Sequence, residues 1–237
     1  MIGGFIISGS SGKSLVLRAL GPSLVKSGVK KFLGDPELEL YDSSGTLVQQ
    51  NDNWTSLPPG TVPDGLQPSN PNESVIVATL PPGSYTCVLR GVGGTTGNAL
   101  GELYDLDPGN SRVLNISTRG EVGTDDDVMI GGFIVGGTMP SKVIVRAIGP
   151  SLAEAGIQGA LADPILELHD SKGSLLFQND NWRDVQEQQI IDSTVPPTND
   201  HESAIVATLE PGAYTAVVRG ANNSVGVALV EVYSLDR

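Results

Sequence analysis

The chain has 237 residues, including 30 glycines and 16 prolines, and 27 acidic against 14 basic residues give it a net charge of −13. So acidic a surface lacks the basic face that nucleic-acid phosphates require, and it disfavours docking on an anionic membrane. The glycines and prolines separate short apolar runs, a composition typical of an all-β protein with many turns.

The sequence contains an internal repeat of two copies. The offset between the copies is 128 residues up to the tryptophans and 129 after them. We therefore expect two domains, residues 1–107 and 108–237, joined by a connecting segment at about 108–128, each large enough for its own core. The recurring segments are Met1–Ile6 with Met129–Ile134, Arg18–Leu24 with Arg146–Leu152, and Asn51–Trp54 with Asn179–Trp182.

Alternating and continuous apolar runs predict about eight short strands per copy, which favours two tandem β-sandwiches of jelly-roll type. Because proline suits the first helical position and glycine the residue after the end, Pro150–Gly156 predicts one or two helical turns. A variable polar loop follows each Asn-Asp-Asn-Trp. The strands predicted in the first copy are Ile2–Ile7, Lys13–Leu20, Glu37–Asp42, Thr46–Gln50, Glu73–Leu80, Tyr85–Arg90 and Ala99–Tyr104.

The segment Arg112–Val122 precedes the second copy and alternates like a strand, and the first copy has no counterpart to it. The first domain is therefore expected to lack its first strand, and the chain to be a piece of a longer protein whose signal peptide lies upstream. An open sheet edge invites a strand from a neighbouring chain, so self-association is a further expectation.

Two strings carry a family resemblance: Asp35–Gly45 followed by Asn51–Asn53, and then Pro82–Gly91. Together they resemble the bacterial pre-peptidase C-terminal domains and related collagen-binding-type modules, over residues of about 35–105 and 163–234. The resemblance implies jelly-roll sandwiches on secreted or surface proteins, often stabilised by calcium. The Ile-Gly-Gly-Phe and Arg-Ala-Leu/Ile-Gly-Pro-Ser-Leu segments lie outside that pattern and look more like a repeat abundant in large exported proteins of environmental bacteria.

A calcium site is the first candidate for bound chemistry. Ca²⁺ takes about six to eight oxygen ligands, which loops rich in Asp and Asn can supply. Glu73 and Glu202, at the start of the next strand, are additional candidates. The alternative is turn capping, in which the same side chains accept hydrogen bonds from nearby backbone amides. The predicted ligands are Asp35, Asp42, Asn51 and Asp52, recurring as Asp163, Asp170, Asn179 and Asp180.

Trp54 and Trp182 are the two tryptophans, each after a polar Asn-Asp-Asn. An exposed aromatic ring on a loop is suited to holding a sugar, and two such rings permit bivalent binding to a polysaccharide. The alternative is a ring folded over an open end of the sandwich. Four arginines within apolar strands predict ion pairs with Glu39, Glu167, Glu102 or Glu231, with an anion site as the alternative; they are Arg18, Arg146, Arg90 and Arg219.

No catalytic residues are predicted. His169 and His201 are replaced in the first copy by Tyr41 and Asn72, so no histidine-dependent site is shared between the copies. Cys87, the single cysteine, lies in a strand-like run and is expected to be a small buried hydrophobe.

These observations favour a non-catalytic extracellular module for surface attachment, assembly or spacing, with no membrane insertion. Two alternatives stay open. One is a carbohydrate-binding module of a secreted hydrolase, and the other is a structural subunit of a filament that uses strand donation.

Overall fold

The computed structural model describes residues 1–107, 111–125 and 127–236. The chain divides into two compact units, unit 1 at Met1–Leu114 and unit 2 at Asn115–Arg237. The predicted domain boundary at residue 108 and Asp126 of the connecting segment lie outside the described residues.

Unit 1 is built from two antiparallel sheets. One has the strand order β5-β2-β7 and the other β1-β6-β3-β4. Short 3₁₀ turns lie at Pro22–Ser27, Trp54–Ser56 and Val92–Gly94. The strands are β1 (Ile2–Ser8), β2 (Lys13–Leu20), β3 (Pro36–Asp42), β4 (Leu47–Asn51), β5 (Ser74–Leu80), β6 (Gly83–Gly91) and β7 (Leu100–Asp105).

Unit 2 has sheets of order β13-β10-β15-β8 and β12-β11-β14-β9. Two short helices are α1 (Pro150–Glu154) and α2 (Glu187–Asp192), and a 3₁₀ turn lies at Ala221–Asn223. The strands are β8 (Arg112–Val122), β9 (Met129–Val135), β10 (Ser141–Ile148), β11 (Pro164–Asp170), β12 (Leu175–Asn179), β13 (Ser203–Leu209), β14 (Gly212–Gly220) and β15 (Gly226–Ser234).

The strand order is that of a jelly roll. Counted in chain order from β8, the strands of unit 2 form one sheet as first-eighth-third-sixth and the other as second-seventh-fourth-fifth. The described residues of unit 1 repeat this order without a counterpart of β8, which leaves one of its sheets with three strands. The predicted fold class, all-β with jelly-roll-type sandwiches, is confirmed.

Side-chain alternation explains how the strands form. In β3, Pro36, Leu38 and Leu40 are buried, whereas Glu37 and Glu39 lie on the other face and are more exposed. The period of two directs apolar side chains into the space between the sheets. β11 has the same pattern, and its Leu166 and Leu168 belong to the core of unit 2.

The two helices differ in how well the sequence predicts them. α1 begins at Pro150, as the Gly-Pro-Ser-Leu segment predicts. α2 lies in the loop predicted only as polar, where Ile190, at 0% exposure, packs against a small cluster that includes Trp182. Within the described ranges, no helix has the length and apolar character of a membrane span.

Candidate functional site

A buried carboxylate, Glu73, fixes the turn that follows β2. Its side chain is 0% exposed, and Oε1 accepts hydrogen bonds from the backbone N–H of Gly21 (3.0 Å) and of Ser23 (2.8 Å). The Ser23 hydroxyl donates to the same oxygen at 2.5 Å. The Glu73 carbonyl accepts the Trp54 N–H at 2.8 Å. One residue thus joins the Gly-Pro-Ser-Leu turn to the loop that begins at Trp54; we call this arrangement the loop anchor.

Unit 2 has the same loop anchor around Glu202. Its Oε1 accepts from the N–H groups of Gly149 (3.2 Å) and Ser151 (3.0 Å) and from the Ser151 hydroxyl, and its carbonyl accepts the Trp182 N–H at 2.9 Å. Donors occupy Oε1 of both glutamates, and Oε2 of Glu202 accepts the Asn199 N–H at 3.3 Å. Oε2 of Glu73 is buried and accepts no hydrogen bond within the described residues, so a cation contact for these glutamates stays a prediction.

The glycine of each anchored turn is required by close packing. A Cβ atom on Gly21 would lie 2.0 Å from the carbonyl oxygen of Leu33, and one on Gly149 would lie 2.2 Å from that of Leu161. No side chain fits at such distances. The recurring Arg-Ala-Leu/Ile-Gly-Pro-Ser-Leu segment therefore has a structural explanation in the loop anchor.

The tryptophans pack beneath their loops. Trp182 is 2% exposed, lies in a cluster with Ile144 and Val206, and donates its indole N–H to the Asn199 carbonyl at 3.1 Å. Trp54 is partly buried and makes the equivalent bond to Asn70 at 3.0 Å. The structure therefore gives Trp182 a packing role in place of the exposed ring that polysaccharide binding requires.

Arg18 holds a loop to the sheet in unit 1. It donates to Glu102 Oε2 through Nε (2.8 Å) and to the Leu66 carbonyl (2.8 Å), and its guanidinium lies 5.0 Å from the Tyr104 ring centre. Sequence reasoning named Glu102 as a partner but not the loop carbonyl, which lies 48 residues away.

Arg146 has the corresponding role in unit 2, pairing with Glu231 and donating to the Val195 carbonyl at 2.7 Å. Beside this pair lies a cavity of about 230 Å³, lined also by Ser151 and Leu229. The buried Nε of Arg146 has no acceptor within the described part of the chain. The second predicted set of ion pairs joins Arg90 to Glu39 at 2.8 Å and Arg219 to Glu167 at 3.9 Å.

Two of the four predicted calcium ligands in each unit are engaged by backbone groups. Asn51 Oδ1 accepts the Val75 N–H at 2.9 Å, and its amide donates to the Asn53 carbonyl at 3.2 Å. Asn179 repeats both contacts, with Ala204 (2.9 Å) and Asn181 (2.9 Å).

Asp42 closes the hairpin turn between β3 and β4. Its Oδ1 accepts from the Ser44 N–H (2.8 Å), the Ser44 hydroxyl (2.6 Å) and the Thr46 N–H (3.0 Å). The hydroxyl bond and the backbone bonds hold the pKa of Asp42 below its ordinary value. Asp170 caps the matching turn, with backbone bonds lowering its pKa. This is the geometry of the turn-capping alternative.

The remaining predicted ligands form an acidic pair in each unit, Asp35 with Asp52 and Asp163 with Asp180. Oδ1 of Asp35 and of Asp163 is buried and accepts no hydrogen bond within the described residues. Burial, and then the charge of Asp52, raises the pKa of Asp35. Burial, followed by the charges of Asp163 and Asp184, raises the pKa of Asp180. Each pair therefore contains one buried carboxylate oxygen without a donor among the described residues, and one carboxyl group with a raised pKa.

No group of three or more Asp, Glu, His or Cys side chains converges on a metal-sized site in the part of the chain that the structure describes. A cation at an acidic pair would thus need backbone carbonyls or water for its remaining ligands. Among other titratable groups, His169 Nε2 lies 3.0 Å from Glu167. Cys87, predicted to be buried, is only half-buried, and its desolvation raises the pKa of the thiol to about 12, so the thiolate is scarce at neutral pH.

A comparison with protein-family models gave no match, and neither did a comparison with curated proteins. Among solved structures, the chain is similar to the pre-peptidase C-terminal domain of a collagenase from Bacillus anthracis. The identity is 16%, the TM-score is 0.33, and the match covers 50% of this chain and 89% of that domain.

Several other matches extend over nearly the whole chain. A putative secreted protein from Eubacterium rectale has 8% identity and a TM-score of 0.23, over 97% of this chain and 66% of that one. A chain from the structure of Sulfolobus turreted icosahedral virus has 9% identity and a TM-score of 0.29, over 97% and 85%. These TM-scores are low, so the fold class rests on the strand order within the two units.

Proposed function

We propose that the chain is a non-catalytic extracellular module that serves surface attachment, assembly or spacing. The observation that carries the proposal is that the recurring polar side chains make equivalent contacts in the two units. The loop anchors, the Arg18 and Arg146 pairs and the Asn51 and Asn179 contacts all tie loops to sheets within their own unit. Groups held in this way stabilise a fold and are poorly placed to act on a substrate. The resemblance to modules of exported bacterial proteins supports the extracellular part.

Two experiments test this function. Stretching the purified chain between two handles should give two unfolding events, each releasing roughly 400 Å for a unit of this length. Incubation with polysaccharide and peptide substrates should release no product. Turnover that co-purifies with the chain and is lost on substitution of one of its acidic residues would contradict the proposal.

Calcium at the acidic pairs is the second part of the proposal. A divalent cation between Asp35 and Asp52, or between Asp163 and Asp180, would offset the burial and the like-charge repulsion that together raise the pKa values of Asp35 and Asp180. The buried Oδ1 atoms of Asp35 and Asp163, which accept no hydrogen bond in the described ranges, supply one candidate ligand in each unit. Such a cation would lock the start of β3 or β11 to the loop after β4 or β12.

Thermal unfolding with and without a chelator tests the calcium site. Chelation should lower the unfolding temperature and added Ca²⁺ restore it, because the ion binds the native state. Asp35→Asn should abolish the calcium response of unit 1, whereas the control Asp42→Asn, at the hairpin turn, should keep it. An unfolding temperature indifferent to chelation would refute the site.

The pH dependence without calcium has a defined sign. A raised native pKa means that Asp35 favours folding below its unfolded pKa, and this contribution is lost as the pH rises through the native pKa. In chelator at neutral pH, Asp35→Asn should therefore raise the unfolding temperature of unit 1. The gain should disappear in acid, where Asp35 is protonated in both states.

A further inference from the structure

The sheet that contains β7 is where the two units differ. In unit 2, β15 lies between β10 and β8. Its counterpart β7 pairs with β2 on one side and ends the sheet on the other, within the described residues of unit 1. We call this second side the outer edge of β7.

Side chains along β7 are more accessible than their counterparts in β15. Val230 and Val232 are 3% and 8% exposed beneath β8. The matching positions in β7 are Gly101, which is exposed, and Leu103, which is only partly buried. Leu100, on the opposite face of β7, is 42% exposed. Partly buried Leu103 on one face of β7 and exposed Leu100 on the other thus leave apolar surface uncovered beside the outer edge.

The two equivalent methionines report the same difference. Met129 is 6% exposed, and its Cε lies 3.6 Å from where a Cβ on Gly120 of β8 would be. Met1 is 41% exposed, and its Cε lies 3.0 Å from where a Cβ on Gly101 of β7 would be. A strand laid along the outer edge would cover Met1 as β8 covers Met129.

The backbone of β7 is oriented for such pairing. The Leu106 N–H donates to the Ser14 carbonyl of β2 at 3.0 Å. Because alternate residues of an antiparallel strand direct their N–H and C=O groups to the same side, those of Gly101 and Leu103 face the outer edge. In unit 2 the carbonyl of Val232, the counterpart of Leu103, faces β8 and accepts from the Asn115 amide at 3.2 Å.

We propose that the outer edge of β7 binds an extended polypeptide strand of the β8 type, in antiparallel register. β8 defines the chemistry of that strand. Ile116 lies opposite Val232 and Val122 opposite Gly226, with Thr118 and Gly120 between them on the same face. The bound strand therefore carries apolar side chains at both ends of one face and small residues between, and backbone hydrogen bonds supply much of its affinity. This site would give the proposed function in assembly a specific binding surface, and it rests on the proposed function only for that role.

The test uses the full chain and a fluorescent peptide with the sequence of residues 112–122. Anisotropy should show saturable binding, and a peptide with Asp in place of Ile116 should bind at least about tenfold more weakly, because it loses its main apolar contact. In hydrogen exchange, the peptide should protect Gly101 and Leu103 and leave β15 unchanged. Exchange effects at β15 instead, or no binding, would overturn the proposal.

Two variants of the chain sharpen the test. Gly101→Pro removes an outward N–H from an edge strand, where proline is tolerated, and should weaken peptide binding by about tenfold or more. Val48→Lys, on the edge strand β4 of the other sheet, should bind like the parent. Circular dichroism checks that both remain folded. Undiminished peptide binding by the Gly101→Pro variant would overturn the site. Self-association of the chain that Gly101→Pro abolishes would also overturn the proposal, since a second copy of the chain would then occupy the edge. Failure here leaves the stretching and calcium experiments unaffected, so the two proposals fail separately.

Discussion

Replacing Glu73 by alanine should destabilise unit 1 more than almost any other single change. The substitution removes a 0% exposed carboxylate that accepts three hydrogen bonds, two of them from backbone N–H groups. Hydrogen bonds to a charged group contribute about 1.5–3 kcal/mol each, and orphaned buried donors add a desolvation cost. Allowing for water entering the space, we expect a loss of about 3–5 kcal/mol, a large part of the stability of a domain of this size.

The assay uses the tryptophan that the loop anchor itself holds. In a Trp182→Phe background, the remaining fluorescence comes from Trp54, whose N–H is bonded to the Glu73 carbonyl, so urea unfolding reports unit 1. Glu73→Ala should lower the free energy of unfolding by about 3–5 kcal/mol, and the exposed control Asp64→Ala should change it by less than about 0.5 kcal/mol.

The equivalent substitution Glu202→Ala should act on unit 2 and leave the Trp54 signal unchanged. If Glu73→Ala costs no more than Asp64→Ala, the loop anchor does not stabilise the fold and the reasoning is wrong. If Glu202→Ala alters the Trp54 transition as strongly as Glu73→Ala does, the two units do not unfold separately.

Three further predictions concern side chains outside the loop anchors. Trp182→Ala should lower the free energy of urea unfolding by about 3–5 kcal/mol and Trp54→Ala by less, since the Trp182 ring is the more buried. In a pull-down assay, insoluble polysaccharides should not retain the chain. Retention that is lost in a folded double variant would restore the carbohydrate-binding alternative. Cys87 should react with a thiol reagent more slowly in the native chain at pH 8 than in urea, because its thiol pKa is raised to about 12; equally fast labelling of the native chain would contradict the raised pKa. Asp42, whose pKa is lowered chiefly by the Ser44 hydroxyl, should stabilise unit 1 above its unfolded pKa, and this stabilisation should be lost as the pH falls through the native pKa. The measurement is the free energy of unfolding at a series of pH values for the parent and for Asp42→Ala, and the same pH dependence in both would contradict the prediction.

Local patterns explain why the strands and hairpins could be predicted from sequence. The alternation in β3 and β11 needs no information from beyond the strand, and the jelly-roll order follows the number and spacing of such runs. The role of Glu73 could not be predicted, because its partners Gly21 and Ser23 lie 52 and 50 residues away. The available signal was a recurring Glu-Ser at the start of β5 and β13. α2 escaped prediction because a six-residue helix carries too little periodicity.

For the candidate calcium ligands, residue type alone did not distinguish a carboxylate that caps a turn from one whose oxygen is left without a donor. Asp42 and Asp35 both recur in the second copy, yet Asp42 Oδ1 has three donors and Asp35 Oδ1 has none in the described residues. The distinction depends on which backbone N–H groups face each oxygen. Only the folded chain provides that information.

Comparing the two units distinguishes polar groups whose hydrogen bonds stabilise the fold from polar groups that lack a hydrogen-bond partner. The Oε1 contacts of the loop anchors, the indole hydrogen bonds of the tryptophans and the arginine–glutamate pairs recur in both units with equivalent partners. The acidic pairs also recur, but they do so with a buried oxygen that lacks a donor and with raised pKa values. The proposed cation would relieve this arrangement at equivalent positions in both units. The outer edge of β7 differs in the opposite way: among the described residues only unit 2 has a strand in the β8 position, and β8 is therefore the template for the strand proposed to bind unit 1.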